Sequence, residues 1–355
     1  MVKKFVYGTP FETEAVVKEI PSSEGNPDYG TFSTENGFSF TTKLADEDMV
    51  FGLGEANRGI NKRGFLYISD CADDPNHVES KTSLYAAHNF IIISGKTHVG
   101  FFFDYPGTLR FDIGYTTSDT MTVSCENADL YVYMITGDSD LDIVKQFRGI
   151  IGRSYIAPKF AFGYGQSRWG YKTEDDFRTV VKKYRENHVP LDMVYMDIDY
   201  MQDYKDFTVN EERFPDFEGF VQDMKKEKIH LVPIIDAGVK VEKDYDIYEE
   251  GCEKGYFCRR EDGSYFEATV WPGWTHFPDV LNADARKWFG DKYDVLVSKG
   301  IDAFWNDMNE PSIFYSQEGL ADFKETAKKY VEGDPEVPHY MVGGKLQALA
   351  NNHED

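Results

Sequence analysis

The sequence lacks the features that mark several classes of protein. No apolar run approaches the roughly 18 residues of a membrane-spanning helix. Only 38 of the 355 residues are lysine or arginine, against 62 aspartates and glutamates, which disfavours a nucleic-acid partner. The four cysteines are too few and scattered for a disulfide framework, and no apolar stretch of a signal peptide follows the first lysines. We therefore expect a reduced, soluble, cytoplasmic protein that binds neither nucleic acid nor membranes.

Motifs for metals and cofactors are equally scarce. Cys252 and Cys258 have only His276 in their vicinity, which does not make a zinc set. A glycine pattern at residues 163–168 begins like a dinucleotide-binding fingerprint, but Arg168 stands where the third glycine is required. We therefore predict no metal and no cofactor.

The chain before residue 150 consists of short β-type segments between glycines and prolines. Strands are predicted at residues 38–42, 89–94, 99–104, 121–125 and 130–134. This pattern favours an antiparallel β-sandwich, which we assign to residues 1–138. Leu141, Val144 and Phe147 recur at helical spacing and predict a linking helix within residues 139–157.

After Pro158 the pattern changes to alternating strands and helices. Strands are predicted at residues 161–164, 191–196, 229–235 and 301–306. This alternation implies a parallel sheet with right-handed crossovers, either open or closed into a barrel, over residues 158–355. Residues 238–282 are rich in glycine, tyrosine and tryptophan and are too long for an ordinary loop, so we predict an inserted subdomain there.

Three of these strands run into an aspartate, namely Asp197, Asp236 and Asp307. The carboxyl ends of parallel strands share one face, where the active sites of α/β folds lie. Any one of these aspartates could be a helix cap or a turn residue, but a cluster of buried carboxylates is costly and indicates function. Carboxylates beside aromatic rings suit sugar chemistry, because hydroxyls bind the acids and an oxocarbenium-like transition state favours negative charge.

Residues 304–312, Phe-Trp-Asn-Asp-Met-Asn-Glu-Pro-Ser, resemble the signature of glycoside hydrolase family 31, the α-glucosidase family. Further segments agree with this resemblance in the same order: Arg168–Tyr171, Asp197–Met201, Arg213–Asp216, Ile234–Asp236, and Val270–Gly273 with Phe277–Asp279. The resemblance implies an α/β fold with an N-terminal β-sandwich, followed by the first half of a (β/α)8 TIM barrel.

The resemblance also implies a role for each matching residue. Asp307 would be the nucleophile, Asp197 would bind sugar hydroxyls in the −1 subsite, and Trp169 would lie near the entrance. A loop of the N-terminal domain would contribute Asp70 or, as second choice, Asp73, although Asp70 could equally face water. The apolar wall of the subsite would consist of Ile198, Ile234, Trp271, Trp305 and Met308. The supporting residues behind the subsite would be Glu310, Asp236 and Arg168.

We therefore expect a retaining, exo-acting α-glucosidase that hydrolyses short α-linked gluco-oligosaccharides of the maltose or isomaltose type. The alternatives are an α-xylosidase or transglycosylase of the same family, or a catalytically inactive sugar-binding relative. The triplet from Asp197 to Asp199 favours glucose over xylose by resemblance, and the net charge of −24 fits a neutral substrate.

The number of strands bears on the catalytic acid. A complete (β/α)8 barrel takes about 250 residues, and only four strands are predicted by residue 306. We therefore expect the acid/base of the double displacement to lie outside this chain, so that activity requires the C-terminal half of the barrel. A homo-oligomer is also possible.

Overall fold

The computed structural model describes residues 1–71, 77–309 and 312–350, with the side chains of the last helix described up to residue 346. The chain divides into two compact units, Met1–Tyr155 and Ile156–Asp355. Among the described helices, none has the length and apolar composition needed to cross a membrane.

The described strands of the first unit form two five-stranded antiparallel sheets. Their orders are β1-β10-β7-β6-β4 and β2-β3-β9-β8-β5. The strands are β1 Val2–Tyr7, β2 Thr31–Ser33, β3 Phe38–Lys43, β4 Met49–Gly52, β5 Phe65–Ser69, β6 Phe90–Ser94, β7 His98–Asp104, β8 Leu109–Ile113, β9 Thr120–Cys125 and β10 Leu130–Gly137. All five predicted strands are therefore present, within one residue of their predicted ends except that β10 continues three residues further, to Gly137.

Both sheets contribute to one core in which phenylalanine dominates. Phe38 and Phe40 of β3 alternate with half-exposed positions, and in β7 the half-exposed Phe102 separates the buried Phe101 and Phe103. The rings of Phe40 and Phe101 lie 4.7 Å apart, although their strands belong to different sheets. Burial of such a side chain stabilises the fold by about 1.5–3 kcal/mol, so this core holds the two sheets together.

Helix α1, Asp140–Ile151, follows the last strand of this unit. It begins where the Ser139 hydroxyl accepts a hydrogen bond from the Asp142 N–H, and it ends before Gly152, whose φ is 90°. The helix is therefore shorter than the predicted segment 139–157, because a backbone conformation that favours glycine interrupts it.

The buried face of α1 also differs from the prediction. Ile143 and Ile150 are buried, and Phe147 stacks on Phe90 with ring centroids 3.8 Å apart. Leu141, by contrast, is 63% exposed and Val144 is 36% exposed. The spacing of apolar residues matches two overlapping faces of this helix, and packing against the β-sheet selects the isoleucine face.

The second unit contains a four-stranded parallel sheet in the order β11-β12-β13-β17. Its strands are β11 Gly165–Gln166, β12 Met193–Met196, β13 His230–Asp236 and β17 Trp305–Asp307. The described helices of this unit are α2 Glu174–Glu186, α3 Phe217–Lys226, α4 Asp246–Lys254, α5 Ala283–Lys292, α6 Asp294–Val297, α7 Gln317–Val331 and α8 His339–Ala350. Short 3₁₀ turns occupy Lys159–Phe162, Ile198–Tyr200 and Gln202–Tyr204.

Helices α2 and α3 form as their sequences predict. Thr173 and Asp176 make a reciprocal capping box at the start of α2, which satisfies backbone N–H groups that the helix itself cannot pair. Phe177 of α2 and Phe220 of α3 are buried, and their ring centroids lie 5.9 Å apart. These helices bury one face of the parallel sheet and so hold its strands in place.

Two strand predictions need correction. Residues 161–164 are not a strand, because Lys159–Phe162 form a 3₁₀ turn in which Phe162 is 78% exposed, and β11 begins only at Gly165. The fourth strand covers residues 305–307 rather than 301–306, because Ile301 instead closes the turn after α6 by donating its N–H to the Leu296 carbonyl.

A second, antiparallel sheet forms beside the parallel one. Its strands are β14 Val239–Lys240, β15 Glu267–Val270, β16 Gly273–His276 and β18 Tyr315–Ser316, in the order β14-β16-β15-β18. Strand β18 lies in the segment after the fourth parallel strand. The sequence analysis did not predict a strand there. The small sheet therefore ties the loop after β17 to the segment predicted as an insertion.

Candidate active site

Three neighbouring parallel strands end at an aspartate. Asp236 is the last residue of β13 and Asp307 the last residue of β17, and the two are register partners. Met196, at the end of β12, pairs with Pro233 of β13, and Asp197 follows it directly. Because parallel strands present their carboxyl ends at one edge of the sheet, the three acids lie at that edge.

Asp236 lies within electrostatic range of both Asp197 and Asp307. Asp236 is only 3% exposed, and its Oδ1 accepts no hydrogen bond from the described residues. Burial raises the pKa of Asp236 to about 7, and the negative charges of Asp307 and Asp197 contribute to this shift. Near neutral pH this group is therefore close to its midpoint of ionisation, a property that is common at functional sites.

Asp197 is half-buried and starts the 3₁₀ turn Ile198–Tyr200. Its Oδ1 accepts the N–H of Ile198 at 2.8 Å. Burial raises the pKa of Asp197, the hydrogen bond from Ile198 opposes that shift, and the charge of Asp199 adds to it. The buried Tyr200 holds this 3₁₀ turn in place, because its hydroxyl donates a hydrogen bond to the Ile234 carbonyl at 2.9 Å. The carboxyl group of Asp197 is thereby anchored to the neighbouring strand.

The residue after Asp307 has a strained backbone. Met308 has a φ of 55°, in the left-handed region that a non-glycine side chain adopts at a cost of about 1–2 kcal/mol. Its side chain packs against a cluster formed by Ala268, Val270, Phe277 and Ile313. The small antiparallel sheet thus supports the turn that directs the chain away from Asp307.

The predicted apolar wall is partly buried and partly open. Ile198 and Ile234 are buried, and Ile234 is the register partner of Trp305, so their side chains lie on one face. Trp305 is half-buried and meets Tyr195 edge-on at 6.0 Å. Trp271 is 44% exposed and packs edge-on against Phe314 at 5.0 Å. The two tryptophans therefore keep part of their surface available to a ligand.

Asp199, two residues after Asp197, has a structural role. It is 1% exposed, and its Oδ1 lies 3.3 Å from the Arg213 guanidinium, which also donates to the Asp199 carbonyl at 2.6 Å. Asp197 keeps its carboxyl at the strand end, whereas Asp199 is turned toward this arginine. Sequence reasoning quoted Arg213 only as part of a matching segment and missed this contact.

The remaining predicted residues are placed less tightly. Arg168 and Trp169 are exposed on the loop after β11, with Trp169 64% exposed. In the first unit, Asp70 follows β5, is exposed, and accepts the N–H of Cys71 at 3.1 Å. Asp73 and Glu310 lie outside the described residues. The roles proposed for all of these residues stay predictions.

Sequence reasoning missed one buried acid, Asp206. It is 1% exposed, and its Oδ1 accepts the backbone N–H of Asp236 at 3.2 Å. The Tyr245 hydroxyl donates to the Asp206 carbonyl at 2.8 Å. The loop sequence around Asp206 carries no periodic signal, so its burial could not be read from the pattern. Within the described residues, no group of three or more His, Cys, Asp or Glu side chains could hold a metal ion.

Two family models match the chain. The TIM-barrel domain of the glycosyl hydrolases of family 31 matches residues 154–346, and the glycosyl hydrolase 31 N-terminal galactose mutarotase-like domain matches residues 11–112. The four parallel strands thus belong to a TIM barrel, and the two-sheet unit is the β-rich domain that precedes it.

Curated relatives agree with these matches. Alpha-glucosidase 2 of Bacillus thermoamyloliquefaciens is 38% identical over 277 residues, which are 77% of this chain and 35% of that protein. The alpha-glucosidase of Saccharolobus solfataricus is 28% identical over 358 residues, covering 98% of this chain and 51% of that protein. The chain therefore spans about a third to a half of the length of these relatives.

Solved structures share the fold. A family 31 dextranase of Flavobacterium johnsoniae aligns with a TM-score of 0.73 at 24% identity, over 82% of this chain and 36% of that one. The glucosidase II alpha subunit aligns with a TM-score of 0.69 at 25% identity, over 78% of this chain and 33% of that one. At such identities the likeness supports the arrangement of a β domain followed by barrel strands.

Proposed function

The chain belongs to glycosyl hydrolase family 31, and we propose that it carries the nucleophile and the sugar-binding wall of a retaining, exo-acting α-glucosidase. Its substrates would be short α-linked gluco-oligosaccharides of the maltose or isomaltose type. The observation that carries this proposal is the meeting of Asp197, Asp236 and Asp307 at the ends of three adjacent parallel strands. The alpha-glucosidase relatives support the choice of substrate.

In the proposed reaction, Asp307 attacks the anomeric carbon while an acid protonates the departing oxygen. The covalent glycosyl-enzyme is then hydrolysed by water, and the configuration at the anomeric carbon is retained. Asp197 would accept hydrogen bonds from the hydroxyls of the bound sugar. The faces of Trp305 and Trp271 would cover its apolar surface, and the strained turn at Met308 would hold Asp307 in its attacking position.

Asp236 is not assigned as the acid, although its pKa lies near 7. Its carboxyl group is 3% exposed, and it neighbours the nucleophile at the same strand edge, so it could not reach a leaving oxygen across the sugar. Retaining enzymes place the acid and the nucleophile about 5–5.5 Å apart, on opposite sides of the bond that is cleaved. We propose that the acid/base lies on barrel strands beyond the four described and that turnover requires them. Residues 1–355 alone are therefore expected to show no turnover.

Trapping tests the nucleophile directly. A fluorinated glucosyl fluoride forms a long-lived glycosyl-enzyme, and the adduct should map by mass spectrometry to the peptide that contains Asp307. The active form of the protein is required for this experiment. An adduct on any other carboxylate would refute the assignment.

A substitution separates an enzyme from an inactive sugar-binding relative. Asp307→Asn should lower turnover by at least about 10³-fold, because the amide is not a nucleophile, while binding of glucose or isomaltose persists. Asp302→Asn is the matched control, since Asp302 is exposed and its carboxylate lies 3.0 Å from His230 in the same strand region. Unchanged turnover in Asp307→Asn would exclude Asp307 as the nucleophile.

The choice of sugar is tested with paired substrates. We expect faster cleavage of p-nitrophenyl α-glucoside than of the corresponding xyloside. Faster cleavage of the xyloside would instead support the α-xylosidase alternative. We also propose a cytoplasmic, reducing location, which the free thiols of Cys125, Cys252 and Cys258 support.

A further inference from the structure

Asp206 is a buried acid next to the candidate site that the reaction proposed above does not use. It lies on the loop after the 3₁₀ turns, five residues beyond Met201, and is 1% exposed. Its Oδ1 accepts the backbone N–H of Asp236 at 3.2 Å, so it contacts the last residue of β13 from a segment 30 residues away. The Asp206 side chain is therefore attached to the strand end that carries the acid beside Asp307.

The loop that carries Asp206 is strained. Asp203, Tyr204 and Phe207 have φ values of 52°, 59° and 61°, in the left-handed region that aromatic side chains rarely adopt. The Tyr245 hydroxyl donates to the Asp206 carbonyl at 2.8 Å and so holds the strained loop from the start of α4. Backbone strain of this kind persists only where surrounding contacts enforce it, and it concentrates at functional sites.

The surroundings of the Asp206 carboxyl contain no balancing cation among the described residues that face it. Those groups are Asp236 from β13, Tyr200 from the 3₁₀ turn, Tyr245 from the start of α4 and Tyr293 from the end of α5. The adjacent Lys205 is engaged elsewhere, because its Nζ donates to Glu242 at 2.7 Å. Asp206 Oδ2 is buried and has no hydrogen-bond partner among the described residues.

An ionised carboxylate in such a place would have one backbone donor and an acidic neighbour, which is an unfavourable arrangement. A protonated carboxyl keeps the Asp236 N–H as the partner of Oδ1 and removes the buried negative charge. Burial raises the pKa of Asp206 well above its ordinary value, and the charge of Asp236 raises it further.

We propose that Asp206 is a positioning residue: its carboxyl stays protonated in the folded protein and anchors the main chain of Asp236, which keeps the end of β13 in register with Asp307. The protonation and the anchoring are properties of the fold. Their effect on turnover rests on the function proposed above, so the two are tested separately.

The first experiment measures thermal stability against pH in residues 1–355. The unfolded Asp206 loses its proton near pH 4, whereas the buried group keeps it, so the contribution of Asp206 to wild-type stability should fall as pH rises above 4. Asp206→Asn keeps an acceptor and cannot ionise. Its melting temperature relative to wild type should therefore rise between pH 5 and pH 8, by up to about 3–5 °C per pH unit.

Asp203→Asn is the matched control, because Asp203 is exposed on the same loop and asparagine tolerates its positive φ. It should follow the wild-type curve. If Asp206→Asn instead loses stability relative to wild type as pH rises, or runs parallel to it, Asp206 is not protonated and the proposal fails.

The second experiment measures kcat and its pH dependence in the active form of the protein. Asp206→Ala removes the acceptor for the Asp236 N–H and should lower kcat by about 10- to 100-fold, at a temperature where the variant remains folded. Asp206→Asn should restore kcat to within about threefold of wild type, with the same pH midpoints. If alanine and asparagine behave alike, whether both are active or both impaired, the anchoring role is wrong.

A wild-type form that includes the remaining barrel strands and still lacks glycosidase activity would refute the proposed function and would leave the stability experiment on residues 1–355 valid.

Discussion

The two units bury a carboxyl group at the end of a seven-residue strand in opposite ways. Asp104 ends β7 of the first unit and Asp236 ends β13 of the second, and both are almost fully buried. The Thr13 hydroxyl donates to Asp104 Oδ1 at 2.6 Å and favours its ionised form, and the opposing charges of Glu12 and Lys4 act on it from nearby. Asp236 instead faces Asp197 and Asp307, so its ionised form meets negative charge.

This contrast extends beyond one pair of residues. Of the buried carboxyl oxygens in the described residues, those without a hydrogen-bond partner are Asp199 Oδ2, Asp206 Oδ2 and Asp236 Oδ1, and all belong to the second unit. Tyr204 and Phe207, which have a positive φ, lie beside Asp206, and Met308, which also has a positive φ, follows Asp307. In the described part of the first unit the Tyr67 hydroxyl is buried without a partner but no carboxyl oxygen is, whereas the second unit leaves carboxyl oxygens unpaired near the ends of its parallel strands. Unpaired buried acids and backbone strain are expected where carboxyl groups are positioned for catalysis.

The largest expected effect tests the core of the first unit. Phe101→Ala should destabilise the protein by about 3–5 kcal/mol, because Phe101 is fully buried between the two sheets. Urea unfolding followed by circular dichroism measures this loss. Tryptophan fluorescence serves as the complementary signal, since all five tryptophans lie in the second unit.

Tyr115→Ala is the control for this prediction, because Tyr115 is 62% exposed in the same unit. It should change stability by less than about 0.5 kcal/mol. A loss seen only by fluorescence in Phe101→Ala would contradict the role of this side chain in the first core.

The next effect compares the two strand-end acids directly. Asp236 has a folded pKa of about 7, above its unfolded value, so its contribution to stability is present at low pH and lost as pH rises from about 4 to 7. Asp236→Asn should therefore gain about 2–3 kcal/mol relative to wild type between pH 5 and pH 7.5. Urea unfolding at both pH values measures the gain.

Asp104→Asn should show a smaller gain over the same range. Burial and the charge of Glu12 also raise the pKa of Asp104, but the hydrogen bond from Thr13 and the charge of Lys4 oppose the shift. Equal gains in the two variants would remove the contrast between the units.

A third prediction concerns ion pairs. Arg213→Met leaves the buried Asp199 without its cation and should lower the free energy of unfolding by about 2–3 kcal/mol. This loss is smaller than for a fully buried pair, because the Arg213 side chain is 36% exposed. Lys43→Met in the first unit breaks an exposed pair with Asp119 and should cost less than about 0.5 kcal/mol. Chemical unfolding at pH 7 measures both losses, and adding Asp199→Asn to Arg213→Met should recover part of the first one.

The smallest effect compares helix caps. Thr173→Ala removes one side of a reciprocal capping box in α2 and should cost about 1 kcal/mol. Ser139→Ala removes a single hydrogen bond of 3.2 Å to Asp142 in α1 and should cost less. Differential scanning calorimetry can resolve the two losses. A larger loss for Ser139→Ala would show that the capping box adds nothing to α2.

Much of the site could be predicted from the sequence because its signals are local. Three signals each depend on neighbours a few residues away. They are the capping box at Thr173, the helical spacing of apolar residues that includes Phe177 in α2 and Phe220 in α3, and the aspartates at the strand ends. The buried face of α1 shows the limit of such signals, because apolar spacing predicted the helix but not which of its residues are buried. Leu141 and Ile143 both fit a helical repeat, and only contact with β10 and β7 selects between them.

Other features depended on segments far apart in the chain. Strand β18 joins a sheet whose other strands lie some 40–75 residues earlier in the chain. No local sequence pattern predicts such a pairing. The pairing of Asp199 with Arg213 and the contact of Asp206 with Asp236 likewise connect loops through the interior. Local composition cannot distinguish such acids from solvent-facing ones.

The sequence by itself determined the change from β to α/β structure, the order of the strands and the aspartate that follows each of three of them. These properties follow from periodicity and chain order. Only the tertiary structure decided which acids are satisfied and which are left to repel one another. Burial and register arise from the packing of distant segments, and they alone set the charge that Asp236 and Asp206 can carry.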